Sequence, residues 1–141
     1  MADSHFSDPH LISFPKLGDS SIGYISVADA QQAHVPFEVK RLFWTYYTPE
    51  SIVRGRHAHY QTEQLLVAVA GRIIVTAELP DGQIQTFRLE DPHVGVYVPP
   101  HAWHTMQYSH SAVQLVLASR PYEEGDYIRS YEQFKEVWQS K

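Results

Sequence analysis

The chain of 141 residues contains no cysteine. That excludes a disulfide framework, a thiolate metal site and a cysteine nucleophile. It lacks long apolar runs: LLVAVA at 65–70 is far too short to span a bilayer. It lacks an excess of positive charge. The formal net charge is −5, so no broad basic surface is available for nucleic acid. An anionic ligand would have to be held by a few local arginines against the overall field. Repeats and low-complexity linkers are absent, and MADSHFSDPH has neither the basic nor the apolar region of a signal peptide. The expectation is a cytoplasmic protein with no membrane association, built as one domain over 1–141.

Aromatic residues make up 13% of the chain, with nine Tyr and three Trp, and there are nine histidines. His5, His10 and His34 are scattered and read as surface residues. Short β-prone runs alternate with Gly, Pro and Asp turns. Strands are expected at 23–27, 39–47, 64–70, 72–79, 84–89, 94–98, 105–109 and 112–119, with HAHY on a strand edge. Only SYEQFKEVWQ (130–139) has near-helical spacing, through Tyr131, Phe134 and Trp138. Many short strands and one terminal helix predict an all-β fold, a small jelly-roll barrel whose mouth holds a ligand.

Residues 54–64, RGRHAHYQTEQ, carry the chemistry. Residues two apart on a strand share a face, so His57 and His59 point the same way. By the same alternation Arg41, Phe43 and Thr45 share one face, and Gln64, Leu66 and Ala68 another. Three uses of the histidines stand open. Three imidazoles with a fourth ligand suit Zn, Fe, Mn or Ni; here the fourth would be the neutral amide of Gln64. An imidazole can instead take a proton from a carbon beside a carbonyl without any metal. Or the pair forms hydrogen-bonded pocket wall.

The spacing H-x-H-x4-Q-x6-G resembles the first cupin motif, with Gln64 where a Glu usually stands, and PPHAWH resembles the second, with His104 at its histidine. Further stretches, VPFEVKR (35–41), RGRHAH (54–59), EQLLVAVAGR (63–72), GVYVPPHAWHTM (95–106) and VLASRPYEEGDYIRSYEQF (116–134), together resemble the nucleotide-sugar 3,4-ketoisomerases, the WxcM-like or FdtA-type cupins. The resemblance implies a small jelly-roll cupin, usually a homodimer whose subunits can exchange N-terminal strands. It implies a dTDP-linked 4-keto-6-deoxyhexose as substrate, its carbonyl moved from C4 to C3 with no metal or other cofactor. The product would be aminated at C3 by a PLP enzyme for surface-polysaccharide (lipopolysaccharide or O-antigen) sugars.

On the same resemblance His57 is the base, His59 its partner and His104 an acid candidate near C4. Arg41 and Arg54 are candidates for the substrate oxygens or the diphosphate, since a guanidinium grips phosphate in a fork. Gln64, Tyr97, Trp103 and Met106 are further candidates for the pocket. A metal-dependent cupin enzyme using His57, His59, Gln64 and His104, and a non-catalytic sugar-nucleotide-binding module, are the alternatives. Two departures stand out. Family members usually carry a Tyr at the second position after the Lys-Arg pair, where this chain has Phe43. DSSIGY (19–24) also lacks the R-G-S/x-L pattern.

Overall fold

A computed structural model describes residues 6–139. His5 therefore lies outside the described residues, as does the side chain of Trp138.

The strands in chain order are β1 (His10–Ser13), β2 (Lys16–Asp19), β3 (Gly23–Ser26), β4 (Arg41–Tyr46), β5 (Val53–His59), β6 (Gln64–Ala70), β7 (Ile73–Glu78), β8 (Ile84–Leu89), β9 (Val94–Val98), β10 (Trp103–Tyr108), β11 (Val113–Ala118) and β12 (Tyr127–Ile128). One helix, α1 (Tyr131–Gln139), follows. The first sheet has the order β1-β9-β6-β11-β4 and the second β12-β5-β10-β7-β8; β2 and β3 form a separate hairpin. All pairings are antiparallel. This is the all-β architecture expected from the alternating runs, with the cupin-like form that the resemblance implied, and none of the described helices is long and apolar enough to cross a membrane.

The core lies where the two sheets face each other. Leu66, Ile73, Val75, Leu89, Val96 and Val116 fill it, each at 2% exposure or less. β6 is buried on both faces. Leu66 and Ala68 enter the inner core, while Leu65 and Val67 pack outward with Phe14, Val35 and Leu117. A third cluster holds α1 down: Phe134 is fully buried against Ala58 and Ile128 on the outer side of the second sheet. The turn from β6 to β7 demands Gly71, whose φ is +70° and whose added Cβ would come within 2.6 Å of the Ala112 backbone.

Several expectations shift. β1, β2 and β12 were not foreseen; none has an alternating apolar run long enough to announce it, and β2 and β3 expose every residue. β10 begins at Trp103 rather than at 105, and β5 reaches back to Val53. β3 ends at Ser26. His10 is exposed, whereas His34 is half-buried and its Nδ1 accepts the Asp29 N–H at 2.8 Å.

The outer face of edge strand β4 remains apolar and uncovered. Leu42, Trp44 and Tyr46 are 55%, 61% and 54% exposed. They alternate with Arg41, Phe43 and Thr45, which turn inward. Beyond β4 the apolar surface continues through Leu115 and Val67.

Candidate active site

Between the sheets lies a cleft of about 200 Å³, lined by Gln64, His57, His104, Phe43, Met106 and Arg54, with Thr45, Tyr108 and Gln114 beyond the histidines. Its histidines come from neighbouring strands. His57 on β5 pairs directly with His104 on β10, and His59 follows two residues on. One nitrogen from each of the three rings lies within 4.8 Å of the others. The centroids of His57 are 4.7 Å from His104 and 5.0 Å from His59, both edge-on.

A bulge aims this cluster. On β10, His104 faces His57 and the next residue, Thr105, faces Gly55, so Arg56 is the extra residue on β5. Gly55 and Arg56 both have positive φ, +90° and +58°. The bulge reverses the face parity of β5. Strict alternation would set Arg54 on the opposite face from His57. Instead Arg54 pairs with Met106 and lines the cleft with the histidines. Gly55 permits the close approach: a Cβ there would sit 2.8 Å from the His104 carbonyl oxygen.

Hydrogen bonds fix two tautomers. His57 Nδ1 lies 3.0 Å from the Gly55 carbonyl oxygen, and His104 Nδ1 lies 3.0 Å from that of Ala102. A carbonyl only accepts, so each Nδ1 carries the proton and each Nε2 keeps a free lone pair. His59 is 2% exposed, and its Nε2 has no protein partner. Burial is the main cause that depresses all three imidazoles. His57 falls to about 3, helped by the charge His104 would carry. His59 falls to about 2, with His104, His57, Arg41 and Arg129 adding repulsion. His104 is lowered by burial as well. At neutral pH the cluster is therefore three neutral rings, able to receive a proton or to ligate a divalent ion. Gln64, 4% exposed on the same side, would be a weak neutral fourth ligand. Glu63 is not a substitute: its carboxylate accepts from the Tyr97 hydroxyl at 2.8 Å.

The other sequence-derived candidates divide. Met106 lines the cleft, as does the exposed Arg54. Arg41 is half-buried near the cleft, 5.2 Å from the Phe43 ring centroid, and its Nε has no partner. Tyr97 and Trp103 belong elsewhere. Leu65 and Tyr97 are paired and share the outer side of the first sheet, where Tyr97 contacts Phe37 and His10. Burial and the Glu63 hydrogen bond raise its pKa and keep it a structural phenol. Trp103 alternates with inward His104, so it points out and packs on Phe134 and Tyr131 of the terminal helix.

Two lining residues were not anticipated, Tyr127 and Arg129. Tyr127 pairs with His59, and its ring lies 4.4 Å from the His59 ring and 5.1 Å from His57. Arg129 stacks on that phenol, its Cζ 4.2 Å from the ring centroid, and is forked by Glu124 at 2.7 and 2.9 Å. Asp126 secures the segment: its carboxylate accepts from the N–H groups of Gln61 and Thr62 at 2.8 and 3.2 Å and from the Thr62 hydroxyl.

Comparison with known proteins gives concordant matches. A family model described as "FdtA: WxcM-like, C-terminal" matches residues 7–139. A TDP-4-oxo-6-deoxy-α-D-glucose 3,4-oxoisomerase of Aneurinibacillus thermoaerophilus is 40% identical over 127 residues, covering 89% of this chain and 88% of that protein. The sugar 3,4-ketoisomerase QdtA of Thermoanaerobacterium thermosaccharolyticum, solved with TDP, superposes with a TM-score of 0.88 at 30% identity, over 94% of this chain and 96% of the other. The TDP-quinovose 3,4-ketoisomerase WlaRB of Campylobacter jejuni has a TM-score of 0.84 at 28% identity, over 93% and 99%.

Proposed function

From the premise that the chain belongs to the FdtA, WxcM-like family, we propose that it is an isomerase that moves the carbonyl of a dTDP-4-keto-6-deoxyhexose from C4 to C3. The reading rests on one observation above others: three neutral imidazoles cluster together, two of them lining the cleft, in a chain whose relatives are TDP-sugar 3,4-ketoisomerases.

The reaction asks for a base, a proton carrier between adjacent oxygens and donors for an oxyanion. The hydrogen on C3 is acidic because C4 is a ketone. His57 Nε2, with its lone pair held toward the cleft, takes that proton. The C3–C4 bond gains double-bond character and the charge settles on O4. Movement of the O3 proton to O4 transfers the charge to O3. Protonation at C4 then collapses the enediolate to a 3-ketone with a hydroxyl on C4. His59 Nε2, buried without a partner, is placed to carry the proton between the two oxygens. His104 Nε2, a lone pair at rest, faces the same space from the neighbouring strand with its ring 4.7 Å from that of His57. It becomes the acid candidate at C4 once it has taken up the proton that His57 abstracted, and delivery of that proton to C4 returns both rings to neutral.

The cleft is smaller than the ~300–1,000 Å³ of pockets that enclose a drug-sized ligand. One ring of the substrate enters, and the remainder lies outside, where guanidinium groups are on offer to the diphosphate from Arg54 beside Tyr108 or from Arg129 and Arg41 near His59. Gln64 and Met106 complete the wall. Phe43 provides surface only, so proton traffic in this chain runs through imidazole and the substrate's own hydroxyl.

The apolar face of β4 supports a homodimer. Leu42, Trp44 and Tyr46 expose a contiguous apolar strip on an edge strand, the kind of surface soluble proteins cover. We take the chain, 1–141, as a single domain of a cytoplasmic enzyme that serves deoxy-aminosugar synthesis.

The test is His57→Asn, which keeps a polar side chain and removes the base. A loss of at least about 10²-fold in kcat is expected with the circular dichroism spectrum unchanged. Near wild-type turnover would overturn the assignment of the base.

A further inference from the structure

The end of the cleft beyond the histidines is polar without any role in proton transfer. Thr45 on β4, Tyr108 on β10 and Gln114 on β11 meet there. Gln114 is 1% exposed and Tyr108 4%. The Tyr108 hydroxyl donates to Gln114 Oε1 at 2.8 Å. Thr45 lies beside the phenol. Burial drives the phenol up to about 12, so at neutral pH it keeps its proton and remains a donor. That donation sets the Gln114 amide with Oε1 toward Tyr108 and leaves Nε2 as a buried donor with no protein partner.

A buried amide donor without an acceptor is costly, and native proteins rarely keep one that nothing completes. Packing alone does not call for it: Val116, Met106 and Phe43 line the adjoining part of the cleft with apolar surface. A methionine would fill the place of Gln114 at similar length. Tyr108 stands four positions beyond His104 on the same strand, about 13 Å along it, too far to join the proton transfer. The group suits recognition of a ligand oxygen held inside the cleft.

We propose that Gln114, oriented by Tyr108, donates a hydrogen bond from Nε2 to a ring carbonyl or hydroxyl oxygen of the bound nucleotide sugar, making this end of the cleft a specificity subsite. The inference rests on the functional reading above and adds to it a positioning residue. Arg54 stands beside Tyr108 and lines the same end, so a ligand ring seated there has a cation within reach of an attached phosphate.

Two variants test it. Gln114→Met removes the donor at nearly constant shape. The pair Gln114→Met with Tyr108→Phe also removes the hydroxyl that the first change leaves without its acceptor. Binding of dTDP and of dTDP-4-keto-6-deoxyglucose is measured by calorimetry on the wild type and both variants, with thermal unfolding alongside. The expected result is a Kd about tenfold higher for the sugar nucleotide in both variants, as for loss of one hydrogen bond, and a double variant no less stable than wild type. Equal weakening of dTDP would assign the subsite to the base or deoxyribose, and weakening of the sugar nucleotide alone would assign it to the hexose; either supports the proposal. Unchanged affinity for both ligands in the double variant overturns it. A wild-type protein that binds neither ligand overturns the functional reading itself, and this inference with it.

Discussion

Lowering the pH from 7 to 5 should cost this protein several kcal/mol of stability, and the cause is the histidine cluster. In the unfolded chain each imidazole titrates near 6.5. In the folded protein His57 and His59 are held at about 3 and 2, and His104 is lowered too, all chiefly by burial. Between the two ranges the unfolded state binds more protons, so stability falls as pH falls. A histidine that stays neutral in the fold loses about 2 kcal/mol between pH 7 and pH 5, and three such residues lose roughly 6 kcal/mol. That is comparable with the whole stability of a small domain, about 5–15 kcal/mol. Arg41 adds to the depression at His59 and Arg129 at both rings, while Glu124 opposes it at His57. The assay is denaturant unfolding at pH 7, 6 and 5, repeated on His57→Gln. The variant should show about two-thirds of the wild-type pH dependence. Equal stability at pH 7 and pH 5, or imidazole NMR titrations centred near 6.5 in the folded protein, would refute the reasoning.

Other outcomes follow from the geometry. Gly55→Ala places a methyl 2.8 Å from the His104 carbonyl oxygen at a φ of +90°, and should cost about 1–3 kcal/mol in chemical denaturation. The same change disturbs the bulge that aims Arg54 and His57, so kcat should fall by about 10²-fold; a variant with wild-type activity would show that the bulge is not needed. Trp44→Glu puts a charge in the apolar strip of β4, and sedimentation should show a dimer for the wild type and a monomer for the variant. A wild-type monomer, or a variant that remains dimeric, would contradict that interface.

The strand pattern was legible because β6, β8 and β9 have the residue types and length that a two-residue period needs, and their bounds match those read from the sequence. The inward set on β4, Arg41, Phe43 and Thr45, was legible for the same reason. So was the convergence of His57 and His59. Alternation also contained the answer for Tyr97, which is out of phase with inward Val96 and Val98, and for Trp103, out of phase with His104; residue type had suggested the opposite. The bulge at Gly55 and Arg56 is different in kind. An inserted residue leaves no periodic trace, and only a glycine inside a strand hints at it. Tyr127 sits on a strand of two residues, too short for any period, and reaches the histidines because Asp126 anchors the backbone beside it. The polar end of the cleft depends on which buried side chains meet across three strands, which no single segment reveals.

The central claim is that buried neutral imidazoles isomerise a keto sugar nucleotide without help from a phenol at position 43. The most direct measurement is proton NMR of dTDP-4-keto-6-deoxyglucose with the EDTA-treated protein in D2O. The account predicts loss of the C3 proton signal and growth of a 3-keto sugar. An unchanged spectrum, with the protein folded, would contradict it.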